Sequence, residues 1–319
     1  MIMANQIPPI DLVIPYVTNQ DEVWRKTYRE YCEKHGLKAR LRESDSVRFR
    51  DCSFLQYLLR SVETNVPWIN RIFLIVSNIE QVPLYVDKQH ISVILHKDII
   101  PAEYLPVFNS EAIEMFLGNI PGLSEHFIYG NDDFLFLNKC EPEDFFDFGE
   151  EEKIKVKVYK FKADKKDPFT ETCKNVVRYA KDLTKWQGDE KGWLRPEHDF
   201  TPMLLSQVKK CQELLKDYPT HFVPHAFRTS GDYNQYIYTM CMYYWGFVID
   251  SPRDYCYIDL KDKNLYNIAS KIENSKVQTI TLNDTGPNIF NIKYINILNK
   301  SLKKKFPNKS IYEKIDITN

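Results

Sequence analysis

Glycine is scarce in this chain, with 10 among 319 residues. Neither GxxxxGK[ST] nor GxGxxG occurs, so no phosphate loop or dinucleotide fingerprint is indicated. Gly118-Asn119-Ile120-Pro121-Gly122 reads only as a helix stop followed by a turn. An excess of either charge is also missing: 43 basic residues stand against 44 acidic ones, a net charge of -1. Nucleic-acid-binding proteins usually carry a basic excess, so no nucleic-acid partner is expected. The seven cysteines are scattered at 32, 52, 140, 173, 211, 241 and 256, and none forms a CxxC pair. That argues against a zinc site and for reduced thiols. The first six residues lack a basic region and an apolar stretch, and no window approaches 18 consecutive apolar residues. No signal peptide and no transmembrane segment are expected, and the expected location is the cytoplasm.

What is present is apolar and aromatic. Hydrophobic residues make up 43% of the chain, with 20 tyrosines and 19 phenylalanines. A chain of this length buries a full core. Asp11 to Val17 reads as the first strand, 21 to 35 as a helix, and Asp51 as the N-cap of a second helix. Leu55, Leu58, Leu59 and Val62 would share one face of that helix. Strands are expected at Arg71 to Asn78, Ile91 to Leu95 and from Phe127, with a helix at Asn109 to Leu117. This alternation implies an α/β fold with a doubly wound, mostly parallel sheet. Ligands on such sheets bind beyond the carboxyl ends of the strands. That rule puts Tyr16-Val17-Thr18, Ser77-Asn78, His96-Lys97-Asp98 and Asn131-Asp132-Asp133 on one rim.

Residues 139 to 200 read as charged and irregular, with a half-exposed strand at Ile154, Val156 and Val158 and a loop or lid around Trp186, Gly188 and Trp193. Helices are expected at 203 to 217, Asp232 to Gly246 and Ile292 to Lys305, and a strand at Val277 to Leu282. The expected organisation is one catalytic domain over 1–319. It comprises a nucleotide-sugar-binding half (1–138), an insertion or lid (139–200) and a second half completing the site (201–319). Lys303-Lys304-Lys305 complements the dipole at a helix end, with a peripheral membrane contact as the alternative.

The chemistry-bearing cluster is Asn131-Asp132-Asp133, set inside the run His126 to Leu137. Two adjacent carboxylates there are costly to bury unless they are paired or hold a cation. Oxygen ligands at a strand end suit Mg²⁺ or Mn²⁺ with phosphate groups. The alternative is a polar turn between two strands. His198, in Glu197-His198-Asp199-Phe200-Thr201-Pro202, is a proton acceptor near neutral pH or a solvated loop histidine. Arg228, after His225-Ala226-Phe227, suits phosphate or a structural ion pair. Asn283-Asp284 repeats the polar pair at a strand end, which is also ordinary turn chemistry.

Four blocks of the sequence resemble the Stealth proteins, sugar-1-phosphate transferases of bacterial capsule synthesis. That family also includes the catalytic subunit of the lysosomal-enzyme N-acetylglucosamine-1-phosphotransferase. The first block is Asp11-Leu12-Val13-Ile14-Pro15-Tyr16-Val17-Thr18-Asn19-Gln20-Asp21. The second runs from Arg48-Phe49-Arg50-Asp51 through His96-Lys97-Asp98 and Leu105-Pro106-Val107-Phe108-Asn109-Ser110 to Asn131-Asp132-Asp133. The third holds His198 and Phe227-Arg228. The fourth pairs Leu282-Asn283-Asp284 with Phe306-Pro307-Asn308-Lys309-Ser310-Ile311-Tyr312-Glu313. The first block departs from the family pattern: Tyr16 replaces its Trp, and Thr18-Asn19 replaces its Asp/Asn-Gly.

The resemblance implies a GT-A-like core and transfer of hexose-1-phosphate from a UDP-sugar, a UDP-hexose or UDP-N-acetylhexosamine, to a hydroxyl of an acceptor glycan. The products would be a phosphodiester and UMP, made at the inner face of the membrane. It implies metal ligation by Asp132, Asp133 and Asp284, and catalytic roles for Asp133, His198 and Arg228. Substrate binding would fall to Tyr16, Thr18, Arg48, Asp51, Asn109, Asn131 and Asn283. The competing readings are a GT-A glycosyltransferase that releases UDP, and a noncatalytic glycan-binding module with a structural cation.

Overall fold

The computed structural model describes residues 7–38, 40, 49–165, 167–188, 192–217, 224–260, 265–284 and 292–314. Its central sheet joins β1 (Ile10–Pro15), β2 (Ile69–Val76), β3 (Ile91–Leu95), β4 (His126–Tyr129) and β10 (Thr201–Leu204) in the order β10-β4-β1-β2-β3. The β1–β2, β2–β3 and β1–β4 pairs are parallel, and only β10 runs antiparallel, against β4. The expected α/β, mostly parallel sheet is therefore present. Its strand order reverses between β1 and β4, where the chain leaves β3 and returns to the other side of β1. Ligands of open α/β sheets bind in the crevice at such a reversal. The strands are near-continuous apolar runs because both faces are covered: Leu12, Val13, Ile14, Ile72, Ile75, Phe127 and Ile128 are all buried.

Beyond the carboxyl end of β4 the chain turns through Asn131-Asp132-Asp133 and re-enters a second sheet as β5 (Phe134–Phe136). That sheet runs β12 (Tyr255–Asp259), β13 (Thr279–Asn283), β5. It packs with α2 (Phe54–Asn65), α8 (Leu265–Asn274) and α9 (Ile292–Lys305) through Phe54, Tyr57, Leu135, Ile280, Leu298 and Phe306. The acidic turn is thus the hinge between two sheets. Gly130 precedes it, and a Cβ there would lie 2.6 Å from the Phe200 ring, which stacks on Phe136 at 3.8 Å.

Several expectations are revised. Residues 139–200 are more regular than their charge suggests. They hold α5 (Pro168–Thr184), capped by Asp167 with Pro168 in its first turn. They also hold β6 (Phe146–Asp147), β7 (Lys153–Lys155), β8 (Val158–Phe161) and β9 (Trp193–Pro196). The Ile154-to-Val158 alternation divides between β7 and β8, and Trp193 opens β9 instead of lying in a loop. Trp186 packs on Tyr244, with ring centroids 5.1 Å apart. Asp51 is not the N-cap of α2. Ser53 occupies that position in a left-handed conformation, and the Asp51 carboxylate accepts its N–H at 2.6 Å. The helix expected at 109–117 shortens to α4 (Ser110–Glu114), and the aromatic helix to α7 (Tyr236–Tyr244). A short strand, β11 (Val248–Ile249), follows α7, and α6 (Leu205–Lys216) fills the amphipathic stretch after β10.

The fourth block is clasped to the core by a bidentate ion pair. Arg60 of α2 donates to Glu313 at 2.8 and 2.9 Å and to the Phe306 carbonyl at 3.1 Å. At the end of α9, Lys304 pairs with Glu273 and Lys305 donates to Asn138. Among the described residues, no helix is long and apolar enough to cross a membrane.

Candidate active site

The β1/β4 reversal carries a crowd of carboxylates. Asp132 and Asp133 follow β4, Asp51 precedes α2, and Asp284 follows β13. The Leu282 N–H donates to the Asp133 carbonyl at 3.0 Å, which fixes the β13 end against the acidic turn. Burial raises the proton affinity of Asp132 far above the carboxylate range, and the charges of Asp133 and Asp51 add to it. Asp133 is pushed up to about 7, by burial and then by Asp284. Its Oδ1 is buried with no hydrogen-bond partner. Asp284 lies 3.6 Å from Arg50 and 3.9 Å from the Cys52 sulfur. Burial and Asp284 push the Cys52 thiol up to about 12.

Tyr16 closes β1 at 4% exposure, and burial, Asp51, Tyr85 and Asp132 all hold its hydroxyl protonated. The adjoining turn is locked by Gln81. Its side-chain oxygen accepts the Thr18 N–H at 2.7 Å, and its amide donates to the Thr18 carbonyl and to Asp21. The Thr18 hydroxyl accepts from the Gln20 N–H inside the same turn. Arg48 lies outside the described residues.

Among the described residues, no three His, Cys, Asp or Glu side chains are already gathered as a metal cage. The donor chemistry nevertheless fits a hard cation. Asp132, Asp133 and Asp284 are oxygen donors, and the buried Asp133 Oδ1 lacks the compensation that a cation supplies.

Beside this rim sits a second, cationic cluster. Phe134, the residue after Asp133, meets the His198 ring edge to face at 5.2 Å. His198 lies in a bend before β10, not before a helix. Its carbonyl accepts from the Tyr255 hydroxyl and, at 2.9 Å, from Thr281. Its Nδ1 is 2.9 Å from the Tyr236 hydroxyl. Burial, then the charges of Arg195 and Arg228, lower its pKa to about 4, so the ring is neutral at physiological pH. Asp199, the next residue, is held by Arg253 at 3.1 Å and by Thr279 at 2.9 Å.

Arg228 donates to Ser110 at 2.8 Å and lies 3.8 Å from Glu111, whose carboxyl burial pushes up to about 7. The Arg228 loop is tied around Asp232, which accepts from Thr229 and Asn109 and pairs with His225 at 2.7 Å. Asn109 caps α4 and is only 3% exposed. Its neighbour Phe108 stacks on Phe227, the residue before Arg228, within an aromatic box of Trp24, Tyr28 and Phe49. Asn283 donates to the Tyr257 hydroxyl, and Asn131 opens the acidic turn with its carbonyl accepting from Phe134.

A sequence profile described as Stealth protein CR2, conserved region 2, matches residues 48–154. The capsular polysaccharide phosphotransferase LcbA of Neisseria meningitidis is 30% identical over 263 residues, which cover 78% of this chain and 68% of that protein. The chain belongs to the Stealth family. The capsular polysaccharide phosphotransferase fcs1 of Haemophilus influenzae is 29% identical over 295 residues, covering 89% of this chain and 80% of that one. A solved structure, the galactosyltransferase LgtC with donor and acceptor sugar analogues, matches with a TM-score of 0.44 at 12% identity, covering 91% of this chain and 95% of that one.

The matched Stealth region spans α2 to the first residues of β7 and carries Asp51, Asn109, Asn131, Asp132 and Asp133. His198, Arg228, Asn283 and Asp284 lie beyond it, and the fold brings all of them to the same end of the sheets. Sequence reasoning missed Gln81, Tyr85, Glu111, Arg195, Tyr236, Tyr257 and Arg253. Their only sequence signals were polar residues inside otherwise apolar or aromatic segments.

Proposed function

We propose that the protein transfers hexose-1-phosphate from a UDP-sugar to a hydroxyl of an acceptor glycan in capsular or cell-surface polysaccharide synthesis. The observation that carries this reading is the pairing of an acidic strand-end turn with a neutral histidine flanked by guanidinium groups. Phosphoryl transfer needs charge neutralisation and in-line positioning more than covalent help.

Mg²⁺ or Mn²⁺, held by Asp132, Asp133 and Asp284, would neutralise the donor diphosphate and the departing UMP. His198 takes the acceptor proton at Nε2, with Nδ1–H directed to the Tyr236 oxygen. The acceptor oxygen attacks the phosphorus nearer the sugar, the bridging P–O bond breaks, and UMP leaves. Arg228 binds non-bridging oxygens of the phosphoryl group. Tyr16, Asp51, Asn131 and Asn283 line the donor side, Arg48 is assigned there on the family resemblance, and Thr18 and Asn109 hold the flanking loops. The reading places the enzyme in the bacterial cytoplasm at the inner face of the membrane, as one catalytic domain whose 139–200 segment covers the site.

The test is incubation with a panel of UDP-hexoses and UDP-N-acetylhexosamines, a glycan acceptor and Mg²⁺. UMP and a phosphodiester resonance in ³¹P NMR are expected. Stoichiometric UDP with a plain glycosidic product would instead mark a glycosyltransferase.

A further inference from the structure

Two large rings stand exposed beside His198. Phe169, in the first turn of α5, is 38% exposed, and Tyr257, on β12, is 45% exposed. Their centroids lie 6.4 and 6.2 Å from that of the His198 ring. Elsewhere in the fold most such rings are buried, so the position of these two needs a reason. Exposed aromatic faces are suited to the apolar C–H face of a pyranose, while the sugar hydroxyls stay free for hydrogen bonds.

Arg195, on β9, adds a charge. Its guanidinium lies over the rings of Tyr159, Phe161 and Phe169 at 5.1, 5.8 and 5.1 Å. Its Nε is buried without a hydrogen-bond partner, and no carboxylate among the described residues stands within ion-pair distance. A partly buried cation lacking a countercharge is costly, and an anion brought by a ligand offsets that cost. The donor already has its place at the carboxylate rim, whereas the acceptor has to reach His198. Tyr257 accepts from Asn283, the neighbour of Asp284, while its ring lies against that of His198, so it stands between the two halves of the site.

We propose that Phe169, Tyr257 and Arg195 form the acceptor subsite, and that it takes a sugar carrying a phosphate or carboxylate group. The proposal rests on the phosphotransfer reading for His198, but its test does not need turnover.

Binding of N-acetylglucosamine 6-phosphate, glucuronic acid and neutral N-acetylglucosamine is measured by ligand-observed NMR on the full chain with Mg²⁺ and UMP. The charged sugars should bind about fivefold or more tightly than the neutral one, the scale of one charge-assisted contact. Arg195→Gln should erase that preference, Arg195→Lys should keep part of it, and Phe169→Ala should weaken all three sugars. UMP affinity should stay within about twofold of wild type in each variant. A wild type that does not favour the charged sugars overturns the proposal, as does a preference that survives Arg195→Gln. Loss of UMP binding in Arg195→Gln would give the arginine to the donor and also overturn it. If UMP is never released in turnover while the preference still follows Arg195, only the reaction assignment falls.

Discussion

The acidic rim and the His198 cluster are adjacent, yet burial acts on them in opposite senses. At the rim it pushes Asp132 and Asp133 toward the protonated form, and the charges of the neighbouring carboxylates add to the push. Around His198 it pushes the imidazole toward the neutral form, helped by Arg195 and Arg228. Buried carboxylates at the rim would be relieved by a cation, and the guanidinium of Arg195 by an anion. On the proposed reading, the donor diphosphate would bring the cation to the rim, and the acceptor's anionic group would bring the countercharge to Arg195.

The sharpest way to break this comparison is to remove a rim carboxylate. Asp133→Asn should lower turnover about 10³-fold or more, the scale of several kcal/mol of metal stabilisation. The variant should melt at or above the wild-type temperature without metal, because one of the crowded charges is gone. Full turnover that still responds to EDTA and added Mg²⁺ would show that Asp133 is not a ligand.

On the other side, His198→Ala should reduce single-turnover rates about 10²–10⁴-fold, the usual range for a general base. UDP-sugar affinity should change little. Donor binding that collapses in parallel with the rate would make the ring a binding group and not a base.

A third prediction concerns the support behind His198. Arg253 and Asp199 have side chains only 7% and 2% exposed, and Arg253 also donates to the Lys155 and Phe200 carbonyls. Arg253→Met strands a buried carboxylate and should cost about 3–5 kcal/mol in urea unfolding. A loss below about 1 kcal/mol would show that the pair is as weak as an exposed one.

The parallel sheet was legible because its strands are continuous apolar runs separated by helical periods, and the strand-end rule puts Tyr16 and Asp132 on one rim. The acidic cluster was legible because charge interrupts the His126-to-Leu137 run. Helix α5 was not, because its many charged and β-branched residues hide an apolar face formed by Cys173, Val176, Val177 and Ala180. Asp51 was misplaced as a cap because left-handed Ser53 cannot be read from a serine. Arg195 was invisible for a different reason. Its aromatic neighbours at 159 and 161 come to it through the β8–β9 pairing, and Phe169 through the packing of α5.

The smallest effect lies beside Arg228, at Glu111. Its carboxyl has an ordinary value of 4.5 and is raised to about 7 in the fold, by burial against the opposing pull of Arg228. Between these values the folded protein holds a proton that the unfolded chain has released. Stability therefore falls as pH rises through that window, and above about pH 7 the full penalty remains. Glu111→Gln keeps the shape and removes the ionisation. It should flatten this part of the stability–pH curve and gain on the order of 1 kcal/mol at pH 8, discounted for the lost partner of Arg228. Melting temperatures of both proteins between pH 5 and 8 measure this. Parallel curves would mean that Arg228 keeps Glu111 ionised throughout, and the guanidinium would then be partly neutralised before any phosphate arrives.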